Sequence, residues 1–425
     1  MSFASASDWR DVYVASAARG LSMAGDFLAA TALALALQSA GYGGMAVAGL
    51  SLAATLPIVA LSPLTGRLVD RVDSRTLLLV AGLVQAGVCL ALAFVRHPVA
   101  IIGLVGLLAC GLAVTQPAFA ALLPAMVRED DLPKASAIGQ TANMTGLLIG
   151  PALAGVLVGQ FGVRLPLLLD AATYLAIVVA SMFLRTRRGG VFSRPAGSGA
   201  APAAWRLRRD PLLLAMVLAV AGVVAGVAGV NVIDVFFIRE TLGASPTAYG
   251  LVAAAWTGGM LAGSWILARY ANRWRDDGGL VMGMLVMLAG ACVAVLIGSA
   301  VPAAYLLVPL WLVGGAFNGG ENVLSNVFMA RRVPEHARGQ AFAALNGAVQ
   351  GAALVGYLLG GLLLERFAPR PLVAAVALAG IAIVVIVAVP VARVVRRERA
   401  AEAAPAPLTP PILDLSRSTS GNSLR

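Results

Sequence analysis

Charged residues are scarce in this chain of 425 residues. They make up 12% of the sequence, whereas hydrophobic residues make up 60%. Soluble globular domains contain about a quarter charged residues, so most of the surface of this chain cannot face water. The composition therefore excludes an ordinary soluble domain and favours a protein that is surrounded by hydrocarbon.

Cysteine and histidine are also rare, with three and two residues. Cys89, Cys110 and Cys292 lie in separate apolar stretches, without the spacing of a disulfide framework or a zinc site. His97 and His336 are expected in loops, and the sequence has no nucleophile elbow and no P-loop. We therefore expect no enzyme, no metal and no cofactor, and no direct coupling to ATP.

The formal net charge is +11, which in a soluble protein would suggest nucleic-acid binding. Here the arginines lie in short gaps between apolar runs and form no basic stripe interleaved with aromatic residues. We therefore expect no nucleic-acid partner. The first apolar run is too long for the core of a signal peptide and should remain as a spanning helix.

Twelve apolar segments are long enough to span a bilayer as helices. The sequence predicts them at Val12–Gln38, Met45–Gly66, Thr76–Val95, Val99–Met126, Ala135–Phe161, Leu165–Leu184, Leu212–Ile238, Thr247–Ala271, Leu280–Ser299, Ala303–Ala330, Gln340–Glu365 and Leu372–Val395. We expect two six-helix bundles at residues 1–184 and 212–395, a basic cytoplasmic linker at 185–211 and a disordered cytoplasmic tail at 396–425.

The loops that alternate along the chain differ in their positive charge. If the N-terminus is cytoplasmic, the outer loops hold five of the 31 Lys and Arg residues and the other 26 lie on or toward the inner side. The five are Arg96, Arg164, Arg239, Arg366 and Arg370. Since cytoplasmic loops carry the excess of positive charge, both termini are predicted to be inside.

An internal repeat supports two equivalent halves. Val127-Arg128-Glu129 precedes a glycine-containing helix, and Val333-Pro334-Glu335 precedes another at a constant offset of 206 residues. Halves related by an axis along the membrane normal, with the substrate site between them, are typical of facilitator transporters.

The loop after the second segment reads Gly66-Arg67-Leu68-Val69-Asp70-Arg71-Val72-Asp73-Ser74-Arg75. It resembles the signature loop of the major facilitator superfamily, in which Gly66, Asp70, Arg71 and Arg75 match the motif and Asp73 replaces a glycine. The resemblance implies an all-α fold of twelve transmembrane helices in two pseudo-symmetric bundles. It also implies that this loop is a switch that holds the cytoplasmic side shut.

The fifth segment resembles the antiporter motif of drug:proton exchangers. Its matching residues are Gly146, Gly150, Pro151 and Gly155, with Ala154 at one glycine position. Small residues at this spacing let helices approach closely, and the proline permits a bend. Residues 115–155 as a whole resemble the macrolide-efflux and enterobactin-exporter branch. Helix 4 lacks arginine, so the proton relay of other drug-exporter branches is not carried over.

Ionisable residues inside spanning segments are candidates for function because they are costly in lipid. Asp26 shares a face of the first helix with Arg19 and Ser22. The carboxyl group can bind and release a proton as the cavity changes its exposure, or it can form a static pair with Arg19 that orders packing.

Further polar residues lie in the other segments. Glu321 lies beside Asn318, Asn322 and Asn326, so this strip needs a wet cavity or a partner helix. Asp234, with Asn231 one turn earlier, and Asp170 are expected near the outer ends of their helices, where both can be interfacial. The remaining candidates for the cavity wall, or for polar contacts between helices, are Gln116, Asn143, Asn346 and Gln350.

These observations predict a monomeric secondary transporter of the inner (plasma) membrane. Its expected partners are a small-molecule substrate, protons and the lipid bilayer. The predicted cargo is a hydrophobic or amphipathic drug, antibiotic or natural product such as a siderophore, exported by proton-coupled alternating access. A nutrient uptake permease and a non-transporting receptor or scaffold remain alternatives.

Overall fold

The structure is a computed structural model that describes residues 7–186, 210–270, 276–334 and 337–403, with the backbone alone at Pro63, Asp70, Gly339 and 397–403. His336, most of the linker and the end of the tail lie outside the described residues. Twelve long helices account for most of the described chain. They are α1 Trp9–Ser39, α2 Gly44–Arg71, α3 Ser74–Leu92, α4 Pro98–Met126, α5 Leu132–Phe161, α6 Arg164–Phe183, α7 Pro211–Phe236, α8 Pro246–Tyr270, α9 Asp277–Ala300, α10 Leu307–Arg332, α11 Arg338–Leu364 and α12 Pro369–Ala403.

Short polar groups and prolines define where the helices begin. The Asp8 carboxylate accepts a hydrogen bond from the Asp11 amide at 3.3 Å, and Asp210 accepts from the amides of Leu212 and Leu213 at 3.1 and 3.2 Å. Such caps satisfy amides that have no partner inside the helix. Proline opens α7 at Pro211, where the missing amide hydrogen costs nothing.

The outward surface of the helices is apolar. Leu175, Val179, Met182 and Phe183 follow one another along α6 and are each about half exposed. A surface of this kind is stable in lipid and not in water. Eleven of the twelve helices are long and apolar enough to cross a membrane, and α10 is the exception.

The helices form two bundles with the same internal arrangement. In the first bundle α1 packs on α5 and α6, α2 on α4, and α3 on α4 and α6. The second bundle repeats each of these pairs six helices later: α7 packs on α11 and α12, α8 on α10, and α9 on α10 and α12. The two most extensive contacts between the bundles are those of α5 with α8 and of α2 with α11. A shift by six helices converts each of these pairs into the other. The predicted fold class is therefore confirmed.

The closest contacts between the bundles lie at one end of the molecule. We call the face where α1 begins and α12 ends the terminal face, and the other the opposite face. At the opposite face, a Cβ built on Gly250 of α8 would lie 2.8 Å from the Gly155 Cα of α5, and one on Gly361 of α11 would lie 3.0 Å from the Gly44 carbonyl oxygen of α2. Backbones can approach this closely only where side chains are absent.

The terminal face is more open along the same helices. Among the residues that the structure describes, a Cβ built on Gly66 near the end of α2, or on Gly347 in the first half of α11, would have no neighbouring atom within 4 Å. The bundles are thus joined at the opposite face and separate toward the terminal face.

Charged groups tie helix ends together within each bundle at the terminal face. Arg332 at the end of α10 contacts Asp210 at 2.6 Å and Asp277 at 3.3 Å. In the first bundle, a carboxylate oxygen of Asp11 accepts hydrogen bonds from the amides of Arg185 and Thr186 at 2.9 and 2.7 Å. These contacts fix the starts of α1, α7 and α9 relative to the ends of α6 and α10.

Several helix boundaries differ from the sequence prediction, and α2, for example, continues five residues past Gly66 to Arg71. The last helix continues past Val395 to Ala403, so the first part of the predicted disordered tail is helical. Arg, Glu and Ala in this segment favour helix even in water. The π-helical turn Phe237–Thr241 extends α7 three residues beyond the predicted end at Ile238.

Candidate functional site

A cavity of about 600 Å³ lies between the two bundles. The first bundle contributes residues of α1, α2, α4 and α5 to its wall, and the second bundle contributes residues of all six of its helices. This volume falls within the range of about 300 to 1,000 Å³ that is usual for small-molecule sites. The cavity is therefore the candidate substrate site.

The wall is aromatic and carries acidic groups. Five aromatic residues line it: Phe27, Tyr249, Trp256, Trp311 and Tyr357. Asp26 and Asp234 are its ionisable carboxyl groups, and among the described lining residues none is lysine, arginine or histidine. The wall therefore favours a ligand that is apolar over most of its surface and not negatively charged.

Asp26 belongs to a buried polar cluster in the first bundle. It is half-buried on α1 and accepts a hydrogen bond from the hydroxyl of Tyr174 on α6. Asp170 lies one turn before Tyr174, and Gly25 leaves room for it, since a Cβ there would collide with its carboxylate. The Cys89 thiol donates to Asp170 at 3.1 Å, and the Thr173 hydroxyl contacts the same carboxylate at 3.3 Å.

Asp170 lies six residues after the start of α6, near the helix end that the sequence predicts. Its side chain is 0% exposed, because the face of α6 that carries it packs against α1 and α3. Two carboxyl groups thus lie within one bundle, and of the two Asp26 reaches the cavity wall.

Arg19 does not form the pair that its spacing suggested. In the part of the chain that the structure describes, it makes no ion pair with Asp26, and its Nη1 has no hydrogen-bond partner although the residue is 9% exposed. Seven residues along a helix correspond to about 10 Å, and Tyr174 occupies the nearer position. The Ser22 hydroxyl, between the two residues, is also buried without a partner.

Asp234 lies near the end of α7, as the sequence predicts, and is buried at the end of the cavity nearer the opposite face. It is 9% exposed, and its Oδ2 accepts a hydrogen bond from Trp311 Nε1 at 3.2 Å, while its Oδ1 has no partner. The π-helical turn after α7 moves the helix end beyond it. Such turns are often found at functional sites. Asn231, one turn earlier, is exposed on the cavity wall.

Glu321 lies inside the second bundle and is not among the lining residues of the cavity. It is 3% exposed and accepts a hydrogen bond from the Ser325 hydroxyl at 2.5 Å. Asn322 donates to the Asn318 carbonyl oxygen at 2.9 Å and is exposed away from the cavity wall. The predicted polar strip is therefore divided, because Glu321 faces the helix packing and the asparagines follow a neighbouring line of α10.

The other polar candidates are distributed along the cleft. Gln116 of α4 lines the cavity. Asn143 is half-buried on α5 with an unpartnered Oδ1, Asn346 is exposed, and Gln350 is half-buried. These three lie outside the cavity wall, toward the terminal face.

The signature loop lies at the terminal face, where α2 ends and α3 begins. Gly66 and Arg71 belong to the last turns of α2, and Arg75 donates to the Met182 carbonyl oxygen at the end of α6 at 2.9 Å. The side chain of Asp70 lies outside the described residues. The predicted switch role of this loop stays a prediction.

The antiporter-like motif places α5 between α1 and α8. A Cβ on Gly150 would lie 2.7 Å from the Ala24 carbonyl oxygen of α1, and Gly146 approaches Gly20 in the same way. Farther along the helix, Gly155 contacts α8, and Pro151 lines the cavity. One helix thus connects the Asp26 cluster with the joint between the bundles.

The sequence analysis did not identify the aromatic residues of the site, which are Tyr174 beside Asp26 and the five residues on the cavity wall. The spacing of Asp170 and Tyr174, four residues apart in an apolar helix, was the available signal for Tyr174. Nothing local in the sequence marks Trp256 and Trp311, because their partners come from other helices.

Comparison with known proteins identifies the family. Residues 5–421 match the family model described as transmembrane secretion effector, of MFS type. The "Uncharacterized MFS-type transporter YfiS" of Bacillus subtilis (strain 168) is 24% identical over 320 residues, which cover 73% of this chain and 76% of that protein.

Solved structures show the same fold at low identity. A bacterial homologue of the lysosomal transporter Spinster has a TM-score of 0.68 at 13% identity, covering 90% of this chain and 95% of that one. The nucleoside transporter NupG gives 0.70 at 13% identity, with 89% and 99% covered. A bacterial homologue of the iron transporter ferroportin gives 0.69 at 17%, with 90% and 98% covered. The chain belongs to the transmembrane secretion effector family and is a multi-pass membrane transporter of the MFS type.

Proposed function

We propose that this transporter exports a small hydrophobic or amphipathic molecule by proton-coupled alternating access. It works as a monomer in the plasma membrane with both termini cytoplasmic, an orientation supported by the excess of arginine at the terminal face. The structure then represents a state that is closed outward and open to the cytoplasm, in which cargo can enter from inside.

The observation that carries this proposal is the position of Asp26. Its carboxyl group lies on the cavity wall, is hydrogen-bonded by Tyr174 and belongs to the buried polar cluster of the first bundle. A carboxyl group there changes its access to water when the bundles rock, so it can take a proton from one side and release it to the other. Arg19, seven residues earlier on α1, acts on Asp26 through its charge but forms no ion pair with it among the described residues, so the carboxyl group is not locked to a cation.

The energy of one proton is sufficient. One charge moving through about 100 mV supplies roughly 2.3 kcal/mol. A tenfold concentration ratio of the substrate across the membrane costs about 1.4 kcal/mol. The free energy from one proton therefore sustains a substrate gradient of roughly 50-fold.

Export is supported by the geometry of α5. Its motif Gly150-Pro151 and Gly155 resembles that of drug:proton antiporters and lies where α5 contacts both α1 and α8. A movement of α5 against α8 would be transmitted directly to the helix that carries Asp26.

Everted membrane vesicles energised with NADH provide the test. Vesicles with the protein are expected to accumulate at least one of Hoechst 33342, ethidium and erythromycin, and a protonophore should abolish the accumulation. Asp26→Asn should lose gradient-driven accumulation while keeping downhill movement of the same compound. Asp130→Asn removes an equal charge from an exposed loop and is the matched control.

Three results would contradict the proposal. Vesicles without gradient-dependent accumulation of any of the three compounds would remove the support for export. Accumulation of these compounds in intact cells, instead of their depletion, would favour the alternative of a nutrient uptake permease. Full accumulation by Asp26→Asn would show that coupling runs through another group.

A further inference from the structure

The end of the cavity nearer the opposite face has a chemistry of its own. We call it the Asp234 pocket and define it by Asn231, Asp234, Tyr249, Trp256 and Trp311, all from the second bundle and all on the cavity wall. The ring centroids of Trp256 and Trp311 are 6.4 Å apart, with 71° between their planes. The two indoles therefore present faces in different directions around one acidic group.

The Asp234 carboxylate can accept a further hydrogen bond or a cation. Trp311 Nε1 donates to Oδ2, and Oδ1 is buried without a hydrogen-bond partner among the described residues. Among the described residues no lysine or arginine nitrogen lies within ion-pair distance of Asp234. A buried carboxylate without a counter-charge is costly, and a cationic ligand would remove this cost on binding.

The rest of the cavity wall favours a cationic ligand over an anionic or a neutral one. With Asp26 as the second carboxyl group and no basic residue on the described wall, an anion of the same size would find no cationic partner and would be repelled. A neutral ligand without a hydrogen-bond donor would leave Oδ1 unpaired. A cation gains both from the carboxylate and from the faces of the indole and phenol rings.

We propose that the Asp234 pocket binds the positively charged head of a lipophilic organic cation, and that the apolar remainder of the cavity holds its body. Asp234 then recognises cargo and Asp26, in the other bundle, carries the proton. This assignment rests on the proposed export function for its physiological meaning, but binding itself needs no gradient. Cation binding at the Asp234 pocket and the proposed export can therefore be refuted independently.

The test is equilibrium binding to the purified full-length protein in nanodiscs, corrected for empty nanodiscs. Tetraphenylphosphonium and tetraphenylborate have the same shape and opposite charge, so their comparison isolates the sign. The cation is expected to bind at least about tenfold more tightly than the anion, and Asp234→Asn to weaken cation binding by about tenfold or more. Trp256→Phe should weaken it by about three- to tenfold through the smaller ring.

Matched controls separate the pocket from general effects. Asp130→Asn changes the same charge in an exposed loop, and Trp265→Phe changes an exposed indole on the same helix as Trp256. Both are expected to bind the cation as the wild type does. Asp234→Glu keeps the charge and should retain most of the affinity.

Equal binding of the two probes to the wild type, or no binding of the cation, would overturn the proposal even if Asp234→Asn does not fold. So would an unchanged affinity in a folded Asp234→Asn variant. Cation binding without gradient-driven transport would contradict the proposed export and leave this pocket intact. Gradient-driven transport of neutral compounds alone, without cation binding, would contradict the assignment of the Asp234 pocket and leave the proposed export supported.

Discussion

Gly155 on α5 and Gly250 on α8 contact each other backbone to backbone where the two bundles meet at the opposite face. A Cβ on Gly250 would lie 2.5 Å from the Pro151 carbonyl oxygen and 2.8 Å from the Gly155 Cα. The closure of this face thus depends on two positions without side chains.

Gly250→Val is therefore expected to open the opposite face, because the added carbons cannot fit between α5 and α8. Spin labels at Ser39 and Thr241, near the ends of α1 and α7, would report a longer distance in the variant than in the otherwise identical protein. The three native cysteines are replaced in both. An unchanged distance distribution in a folded variant would show that the contact between α5 and α8 does not control closure of the opposite face.

Tyr174→Phe should reduce gradient-driven transport by about tenfold, because it removes the hydrogen bond to Asp26 and leaves the packing of the ring unchanged. Initial rates in energised vesicles measure this loss. Combined with Asp26→Asn, the change should add no further loss, since both variants remove the same contact. Additive losses would assign Tyr174 a role apart from Asp26.

Arg332→Ala is expected to destabilise the second bundle by about 1 to 3 kcal/mol, because it removes two charge-assisted contacts from partly buried aspartates. A lower unfolding temperature in detergent is the measurement. Arg332→Lys keeps the charge and should recover part of the loss. An Arg332→Ala protein with wild-type thermal stability would show that these contacts do not stabilise the folded protein.

Two glycine substitutions should have opposite effects. Gly146→Ala is expected to lower the unfolding temperature, because its Cβ would collide with the Gly20 carbonyl oxygen of α1. Gly87→Ala, on α3, meets no atom within 4 Å and should be neutral or stabilising by up to about 1 kcal/mol. The same thermal assay compares them, and equal effects of both would contradict the close packing of α1 and α5.

The fold could be predicted because each helix is a separate apolar run and the loops between them are short. Helix ends were less certain where flanking residues also favour helix, as at Ala403. The burial of Asp170 and Asp234 was not predicted for a related reason, since burial depends on where each helix ends and which neighbours cover it. The partner of Asp26 lies 148 residues away in sequence, and no local pattern marks a contact of that kind.

The polarity of α10 has a consequence for how the protein is made. This helix carries Asn318, Glu321, Asn322 and Asn326, and it alone among the twelve is not apolar enough to cross a membrane by composition. Charged and amide side chains make insertion of an isolated helix unfavourable. In the folded protein α10 is packed between α8 and α9, with Gly315 and Gly319 against the α8 backbone. Its entry into the bilayer during synthesis must therefore be cooperative with these preceding helices.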